Sequence, residues 1–369
     1  MARVIDYDLT IAGAGPAGSV LALLCARHGM RVLLAERSRF DQRRVGESAP
    51  SELKALIAKL ELGHVLCGRA CRESSATVSI WGNFESAVRS HMMSPYGNAL
   101  HLDRCAFDRS LADAAQIAGA DLRTATTIRF EPRRRGGYYA ITRGGQRIVT
   151  RMAVLAGGRS TGGCGLPYVR VHLDDHAAVT GLLATPRVQQ TCATLIEAVP
   201  GGWFYLAQVS DDFVAVIFMT RAKSVPVRKV ERLQWWLTAL SRTTFMRQTL
   251  AGCRLPAELA VCDARASFAK VPAGSNWLAI GDARLAPDPL AGQGTVWAIE
   301  DAIFAAQAIL DGRDLTSLWI QRTRVDVADY LLACAAVYAQ ERRFEGDPYW
   351  RLHSSARVTP SAIEVASWS

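Results

Sequence analysis

The sequence lacks several features that would assign it to a structural class at once. It contains no run of about 20 apolar residues, so we expect no membrane-spanning helix. Its nine cysteines are scattered, and the closest pair, Cys67 and Cys71, has no second pair that would complete a zinc site. We therefore predict no metal centre, and we interpret most of the thiols as small buried side chains in a reducing compartment.

The sequence also begins without the pattern of a secretory leader. Residues 1–5 lead directly into a strand pattern, with no separate charged region, apolar region and cleavage site. Together with the cysteine usage, this pattern predicts a cytoplasmic protein.

Lysine is scarce, since only five of the 43 basic residues are lysine. Against 34 acidic residues, the basic residues give a net charge of +9 that arginine largely carries. We find no nucleic-acid-binding motif and expect no nucleic-acid partner. The positive charge is compatible with a phosphate-bearing cofactor or an acidic partner, or with a biased composition on a solvated surface.

The first structural signal is an α/β unit near the start of the chain. Residues 8–12 have the pattern of a short buried strand, and a glycine-rich turn follows at 13–18. Residues 19–28 predict an apolar helix, and residues 31–35 predict a second strand. This order of strand, turn, helix and strand is typical of doubly wound domains.

The turn fits the G-x-G-x-x-G fingerprint, with Pro16 and Ala17 between its last two glycines. Gly13 permits a tight turn, Gly15 lets backbone approach a pyrophosphate, and Gly18 lets the helix pack closely on the strand. The free N–H groups at the helix start favour phosphate binding. The motif therefore predicts a dinucleotide site.

Glu36 ends the second predicted strand, 21 residues after Gly15, and Arg37 follows it. The carboxylate can accept hydrogen bonds from ribose hydroxyl groups, and it would repel a 2′-phosphate, which disfavours NADP. We place Glu36 and Arg37 in the cofactor site. These residues alone do not distinguish FAD from NAD.

A second signal lies in residues 277–294, where a short apolar strand runs into Gly-Asp and then a glycine-rich loop. This segment resembles the G-D motif of FAD-dependent aromatic hydroxylases, flavin halogenases and geranylgeranyl reductases. The resemblance implies FAD as the cofactor, an aspartate on the ribityl chain and a helix start directed at the flavin. The residues that it assigns to the cofactor are Gly281, Asp282, Pro289, Gly292, Gln293 and Gly294.

Two further segments are similar to the same superfamily. Residues 43–48 resemble its G-E-S segment, and residues 102–104 resemble the start of a helix whose first residue touches the cofactor. Arg44 and Arg104 are therefore candidate phosphate or ribityl ligands, or else surface arginines.

The most similar subgroup is the halogenase-like flavoproteins that mature quinone-cofactor (cysteine tryptophylquinone) amine oxidases and dehydrogenases. The residues that carry this resemblance are 101–104, 281–294, 342–344 and 348–350. The resemblance implies oxygenation of a tryptophan side chain in a partner polypeptide.

We accordingly predict an α/β protein with a discontinuous Rossmann-like FAD-binding domain, an inserted β-sheet substrate domain and C-terminal helices. The FAD-binding domain is assigned to 1–165 plus 255–312, with a β-hairpin region at 120–156. The substrate domain is assigned to 166–254, and the helical region to 313–369.

The sequence departs from two neighbouring families. Halogenases carry a lysine in the segment that corresponds to 74–82 and a W-x-W-x-I-P motif, and here 74–82 has no lysine and 202–207 has one tryptophan and no proline. Halogenation is therefore not expected. Aromatic hydroxylases carry a D-G motif that contacts NADPH, and residues 156–160 lack the aspartate. A separate reductase or free reduced flavin is an alternative electron source.

No catalytic base stands out, and we leave the catalytic residues unassigned. Glu47, His101 and Asp288 are candidates for positions near the flavin or for structural contacts. The substrate pocket is assigned to Glu47, Trp81, Trp203 and Tyr205, although such aromatic residues are often core.

The sequence favours an FAD-dependent monooxygenase that hydroxylates an electron-rich aromatic substrate. Two alternatives stay open. One is a flavin-dependent reductase or dehydrogenase, for example of isoprenoid double bonds, and the other is a non-catalytic flavin-bound assembly protein.

Overall fold

A computed structural model describes residues 6–162, 164–185 and 192–355 of the chain. Its helices are α1 (Pro16–Arg27), α2 (Glu52–Lys59), α3 (Arg104–Ile117), α4 (Lys229–Leu240), α5 (Phe245–Thr249), α6 (Gly294–Leu310), α7 (Leu315–Tyr338) and α8 (Pro348–Ser355). Its first eleven strands are β1 (Tyr7–Ala12), β2 (Val32–Ala35), β3 (Ser48–Ala49), β4 (Cys71–Ser74), β5 (Ala76–Ile80), β6 (Ala87–Ser90), β7 (Ala99–Leu102), β8 (Asp121–Arg123), β9 (Ile128–Pro132), β10 (Tyr138–Thr142) and β11 (Arg147–Leu155).

The remaining strands are β12 (Arg170–His172), β13 (His176–Ala184), β14 (Ala193–Val199), β15 (Gly202–Gln208), β16 (Phe213–Arg221), β17 (Leu259–Asp263), β18 (Ser267–Ala269), β19 (Ala273–Gly274), β20 (Trp277–Ala279) and β21 (Leu285–Ala286). No helix in the described ranges is both long enough and apolar enough to span a membrane.

The sheet that carries the nucleotide motif has the strand order β19-β20-β11-β1-β2-β8. Strand β1 lies at its centre and pairs in parallel with β2 and β11. Both faces of a parallel sheet are covered, and the apolar residues of β1 and β2 are accordingly buried. The strands β9, β10 and β11 form antiparallel hairpins within 120–156, where hairpins were predicted.

A second sheet has the order β17-β13-β16-β15-β14-β5-β6. Its neighbouring strands run antiparallel, apart from the parallel pair β14–β5. Side chains alternate between the two faces of a strand, so Trp203 and Tyr205 in β15 point away from Phe204. Phe204 packs with Trp236 of α4, whereas Trp203 and Tyr205 belong to a different apolar cluster that includes Tyr338 of α7.

This second sheet draws strands from three parts of the chain. Strands β5 and β6 come from 76–90 and β17 from 259–263, outside the range assigned to the substrate domain. The predicted domain limits stay a prediction, and the end of the C-terminal region, 356–369, lies outside the described residues. The predicted α/β architecture with a Rossmann-like sheet and C-terminal helices is confirmed.

Candidate functional site

A cavity of about 1450 Å³ extends from the nucleotide motif to the face of the second sheet. Its volume exceeds the ~300–1,000 Å³ of most small-molecule sites. The predicted site residues that line it are Gly13, Gly15, Pro16, Ala17, Glu36, Arg37, Arg44, Glu47, Trp81, Arg104, Trp203, Tyr205, Asp282, Pro289, Gly292, Gln293 and Gly294. Gly18 and Gly281 are not among the lining residues, and a Cβ atom on Gly281 would lie 2.8 Å from that of Ala17.

The three fingerprint glycines differ in their surroundings. A Cβ atom on Gly13 would lie 2.4 Å from the carbonyl oxygen of Ala156, and one on Gly18 would lie 1.9 Å from that of Gly13. A Cβ on Gly15 would meet nothing within 4 Å, because Gly15 faces the cavity at the start of α1. Gly13 and Gly18 thus allow close backbone packing, and the open space beside Gly15 can hold a pyrophosphate.

Glu36 is 5% exposed at the end of β2. Its Oε1 accepts hydrogen bonds from Ser38 and Arg44, and its Oε2 accepts one from the backbone N–H of Ala14. Burial favours the neutral acid, but the charge of Arg44 and these hydrogen bonds hold the pKa of Glu36 below its ordinary value. Oε2 retains acceptor capacity for a ribose hydroxyl.

The structure gives Arg44 and Arg104 a partner that the sequence did not reveal. Both guanidinium groups bind the carboxylate of Asp108, which is fully buried in α3. Arg104 also donates to the carbonyl oxygens of Val45 and Gly46. The i,i+4 spacing of Arg104 and Asp108 was a usable signal, whereas Arg44 lies 64 residues away.

Asp282 stands at the other side of the nucleotide loop, in the turn Gly281–Ala283. Its Oδ2 lies 3.3 Å from Nε of Arg159, which stands in the segment that lacks the hydroxylase aspartate. A Cβ on Gly294 would lie 4.0 Å from Asp282 Oδ1, so the start of α6 is beside this carboxylate. The carboxylate and the helix start can together face a ribityl chain and a flavin ring.

A buried network behind this turn also escaped sequence reasoning. Asp301 of α6 accepts a hydrogen bond of 2.8 Å from the backbone N–H of Gly281 and binds the buried Arg284. Asp326 of α7 binds the same arginine at 2.7 Å. These contacts fix the turn that carries Asp282.

Trp81, Trp203 and Tyr205 line the cavity opposite the nucleotide loop. The ring of Trp81 packs edge-on against Trp203, with centroids 6.4 Å apart. Trp203 donates through its indole N–H to Tyr338, which in turn donates to the buried carboxylate of Asp288. This aromatic wall is therefore held rigidly in position by hydrogen bonds and ring contacts.

The candidates for a catalytic base have different positions. Glu47 lines the cavity, but it is 2% exposed and binds Arg43 at 3.0 Å. Asp288 also lines the cavity, and its Oδ2 lies 3.2 Å from Nδ1 of His176. His101 is buried behind the cavity, where its Nε2 is 2.8 Å from Thr194 Oγ1.

The cysteines of the described residues are free thiols. Asp174, His176 and Asp288 bring three potential ligand atoms within 4.8 Å of one another. His176 is a neighbour of both carboxylates, so the group also has the arrangement of a histidine between two acids. The predicted lack of a metal centre stays a prediction.

No protein-family model matches the chain. A protein of Marinomonas mediterranea described as "Putative FAD-dependent oxidoreductase LodB" is 26% identical over 374 residues, which cover 98% of this chain and 100% of LodB.

Two of the solved structures that share the fold are a halogenase and a dihydroxylase. One is the myxobacterial chondrochloren halogenase CndH, described as a variant of FAD-dependent halogenases. It superposes with a TM-score of 0.83 at 20% identity, and the match covers 98% of this chain and 89% of the CndH chain. The other is QhpG, a peptidyl tryptophan dihydroxylase essential for tryptophylquinone cofactor biogenesis. It has a TM-score of 0.74 at 21% identity, and the match covers 95% of this chain and 79% of the QhpG chain. The chain therefore shares the fold of an FAD-dependent halogenase and of QhpG, and it is similar over its full length to an FAD-dependent oxidoreductase.

Proposed function

We propose that the chain is a monooxygenase that hydroxylates an electron-rich aromatic ring, and that this ring is a tryptophan side chain of a partner polypeptide in quinone-cofactor biogenesis. One observation carries the proposal: a single cavity connects the nucleotide loop at Gly15 with the aromatic wall at Trp81 and Trp203. Similarity to LodB over the whole chain and the shared fold of QhpG, which acts on peptidyl tryptophan, support it.

The residues around the cavity fit FAD. The space at Gly15 and the N–H groups of α1 would hold the pyrophosphate, and Glu36 would bind the adenosine ribose through Oε2. Asp282 would bind the ribityl chain, and the start of α6 would face the flavin ring. When bound, FAD supplies the electron transfer and the activation of oxygen.

The protein's own task is then to orient the aromatic ring and exclude water from the reacting atoms. The half-buried Trp81 offers a ring against which an indole can pack, and the buried Trp203 supports that ring from behind. A cavity that holds a dinucleotide and still offers such a wall has room for a side chain that a larger molecule presents.

We do not propose halogenation, although several proteins of this fold are halogenases. The described residues that line the cavity include arginines but no lysine that could take up a hypohalous acid. Lys54, which belongs to α2, instead binds Glu73 at 2.8 Å.

We further propose that electrons reach the flavin from a separate reductase or from free reduced flavin. Arg159 stands in the segment where hydroxylases carry the aspartate that contacts NADPH, and it is bound to Asp282 and to the carbonyl oxygen of Arg265. The contact directs Arg159 at Asp282, the residue that we propose for the ribityl chain.

The test is the mass of a partner polypeptide after incubation with the FAD-loaded protein, oxygen and a source of reduced flavin. Oxygen atoms added to one tryptophan support the proposal, and the same partner with that tryptophan changed to phenylalanine serves as the control. A gain of two hydrogen atoms on an unsaturated lipid would indicate a reductase instead. Efficient turnover of free indole or phenol, with every candidate polypeptide left unchanged, would refute the polypeptide substrate.

A further inference from the structure

A chain of hydroxyl groups follows the wall of the cavity and ends at a buried histidine. Tyr205 lines the cavity, and its Oη donates to Ser48 Oγ at 2.7 Å. Ser48 Oγ lies 3.2 Å from Thr194 Oγ1, which lies 2.8 Å from Nε2 of His101. These four residues come from β15, β3, β14 and β7, and we refer to them as the hydroxyl chain.

The direction of the hydrogen bonds is set at Tyr205, which donates to Ser48 Oγ. His101, at the other end, is 1% exposed, and burial lowers the pKa of His101 to about 4, so the imidazole is neutral at neutral pH. A neutral imidazole has one N–H group and one nitrogen that accepts, so Nε2 can be the acceptor at the end of the hydroxyl chain.

The direction passes from Tyr205 to the other members because each hydroxyl group has one proton. Ser48 accepts from Tyr205, so it can donate its own proton to Thr194, and Thr194 can then donate to His101 Nε2. Ser74 also lies 3.3 Å from Thr194, but it donates to the carbonyl oxygen of Ala76. Every proton of the hydroxyl chain therefore points from Tyr205 towards His101.

The proton of Tyr205 is thus engaged by Ser48. Burial and the nearby charge of Glu47 raise the pKa of Tyr205, so the phenol keeps its proton. With its proton used, Oη retains lone pairs, which can only accept.

We infer that the cavity recognises its substrate through an N–H or O–H group that donates to Tyr205 Oη, and that Ser48, Thr194 and His101 are positioning residues that hold Tyr205 as an acceptor. The inference rests on the proposed function in one respect, namely that an aromatic ring occupies this cavity. Indole satisfies the requirement through its ring N–H. Benzofuran has nearly the same shape, but its ring oxygen can only accept.

The experiment compares the affinities of indole and benzofuran for the FAD-loaded protein, measured by ligand-observed NMR and by flavin fluorescence. Indole should bind about 2- to 10-fold more tightly, the factor expected for one neutral hydrogen bond. Tyr205→Phe should abolish this preference. Thr194→Val, which keeps the side-chain volume, should abolish or reverse it because Ser48 and Tyr205 can then turn. Ser74→Ala is the matched control, and it should keep the wild-type preference.

Equal or tighter binding of benzofuran, binding of neither ligand at millimolar concentration, or a preference that survives in Tyr205→Phe would overturn the inference. A second readout is the ¹⁵N NMR spectrum of His101, which should show a hydrogen on Nδ1 and none on Nε2, and the opposite tautomer would also overturn it. Oxygenation of a polypeptide without any indole preference contradicts this inference alone. An indole preference without oxygenation of any polypeptide contradicts the proposed function alone.

Discussion

Asp108 and Arg44 form a contact of 2.8 Å between a fully buried carboxylate in α3 and a guanidinium in the loop that precedes β3. The same carboxylate binds Arg104 through Nε at 3.0 Å. The sequence left both arginines as candidate phosphate or ribityl ligands or else surface arginines, and the structure shows that both bind Asp108. The loop that carries Glu47 is therefore fastened to α3 beside the nucleotide site.

Replacing Asp108 with asparagine should lower the free energy of unfolding by about 1.5–3 kcal/mol, the contribution of a hydrogen bond to a charged group. Both arginines would then lose the charge that they share. Urea unfolding measures the change. Asp113→Asn is the control, because Asp113 lies on the same helix in an exposed i,i+4 pair with Arg109 and should change the free energy by under about 1 kcal/mol. Equal effects of the two changes would refute the special role of Asp108.

Gly15→Val should abolish or weaken FAD binding at least tenfold, about 1.4 kcal/mol, without unfolding the chain. The added side chain meets no protein atom within 4 Å of its Cβ, so it fills the space where a pyrophosphate would lie. Titration with FAD, followed by flavin fluorescence, gives the affinity. Gly63→Val, at another open glycine far along the chain, should leave FAD affinity unchanged. Wild-type affinity in Gly15→Val would show that the site lies elsewhere.

Asp282→Ala should weaken FAD binding by about 1.5–3 kcal/mol, since it removes a charged acceptor and leaves Arg159 without that ion pair. Flavin occupancy of the purified variant is measured by absorbance. Asp311→Ala removes an exposed carboxylate that binds Arg313, and it should retain full occupancy. The assignment of Asp282 fails if both variants keep the same amount of flavin.

The stability of the protein should fall as the pH drops from about 6.5 to about 4 because of His101. Burial lowers its pKa to about 4, so the unfolded chain takes up a proton in this range while the folded chain does not. Above pH 6.5 His101 causes no loss of stability, and at pH 4 the loss of unfolding free energy is about 3 kcal/mol at most. Thermal unfolding across this range measures it. His101→Gln should flatten the dependence, and the exposed His64→Gln should not. An unchanged slope in His101→Gln would contradict the assignment.

Chloride or bromide should give no halogenated product with reduced flavin and indole. The reason is that the described lining of the cavity offers no lysine to take up a hypohalous acid. Mass spectrometry of the products is the measurement, and a flavin halogenase run in parallel is the positive control. A chlorinated or brominated indole would restore the halogenase interpretation.

The sequence by itself determined the nucleotide-binding half of the molecule. The turn at 13–18 and the helix after it can be predicted because steric crowding within this short segment requires glycine. The structure shows the close approaches at Gly13 and Gly18. The acid at Glu36 follows from its place at the end of a strand. The assignment of individual cofactor contacts stays a prediction.

Only the tertiary structure decided which polar groups are partners around the site. Arg44 finds Asp108 across 64 residues, and the hydroxyl chain joins His101 to Thr194 across 93 and Ser48 to Tyr205 across 157. Such pairs depend on which strands are neighbours, as when β14 pairs in parallel with β5. Local propensity and hydrophobic periodicity predict where each strand lies in the sequence. Which strands pair depends on long-range burial of their apolar faces. For that reason the sequence located Tyr205 in a strand, and only the fold could show that its hydroxyl group donates to Ser48.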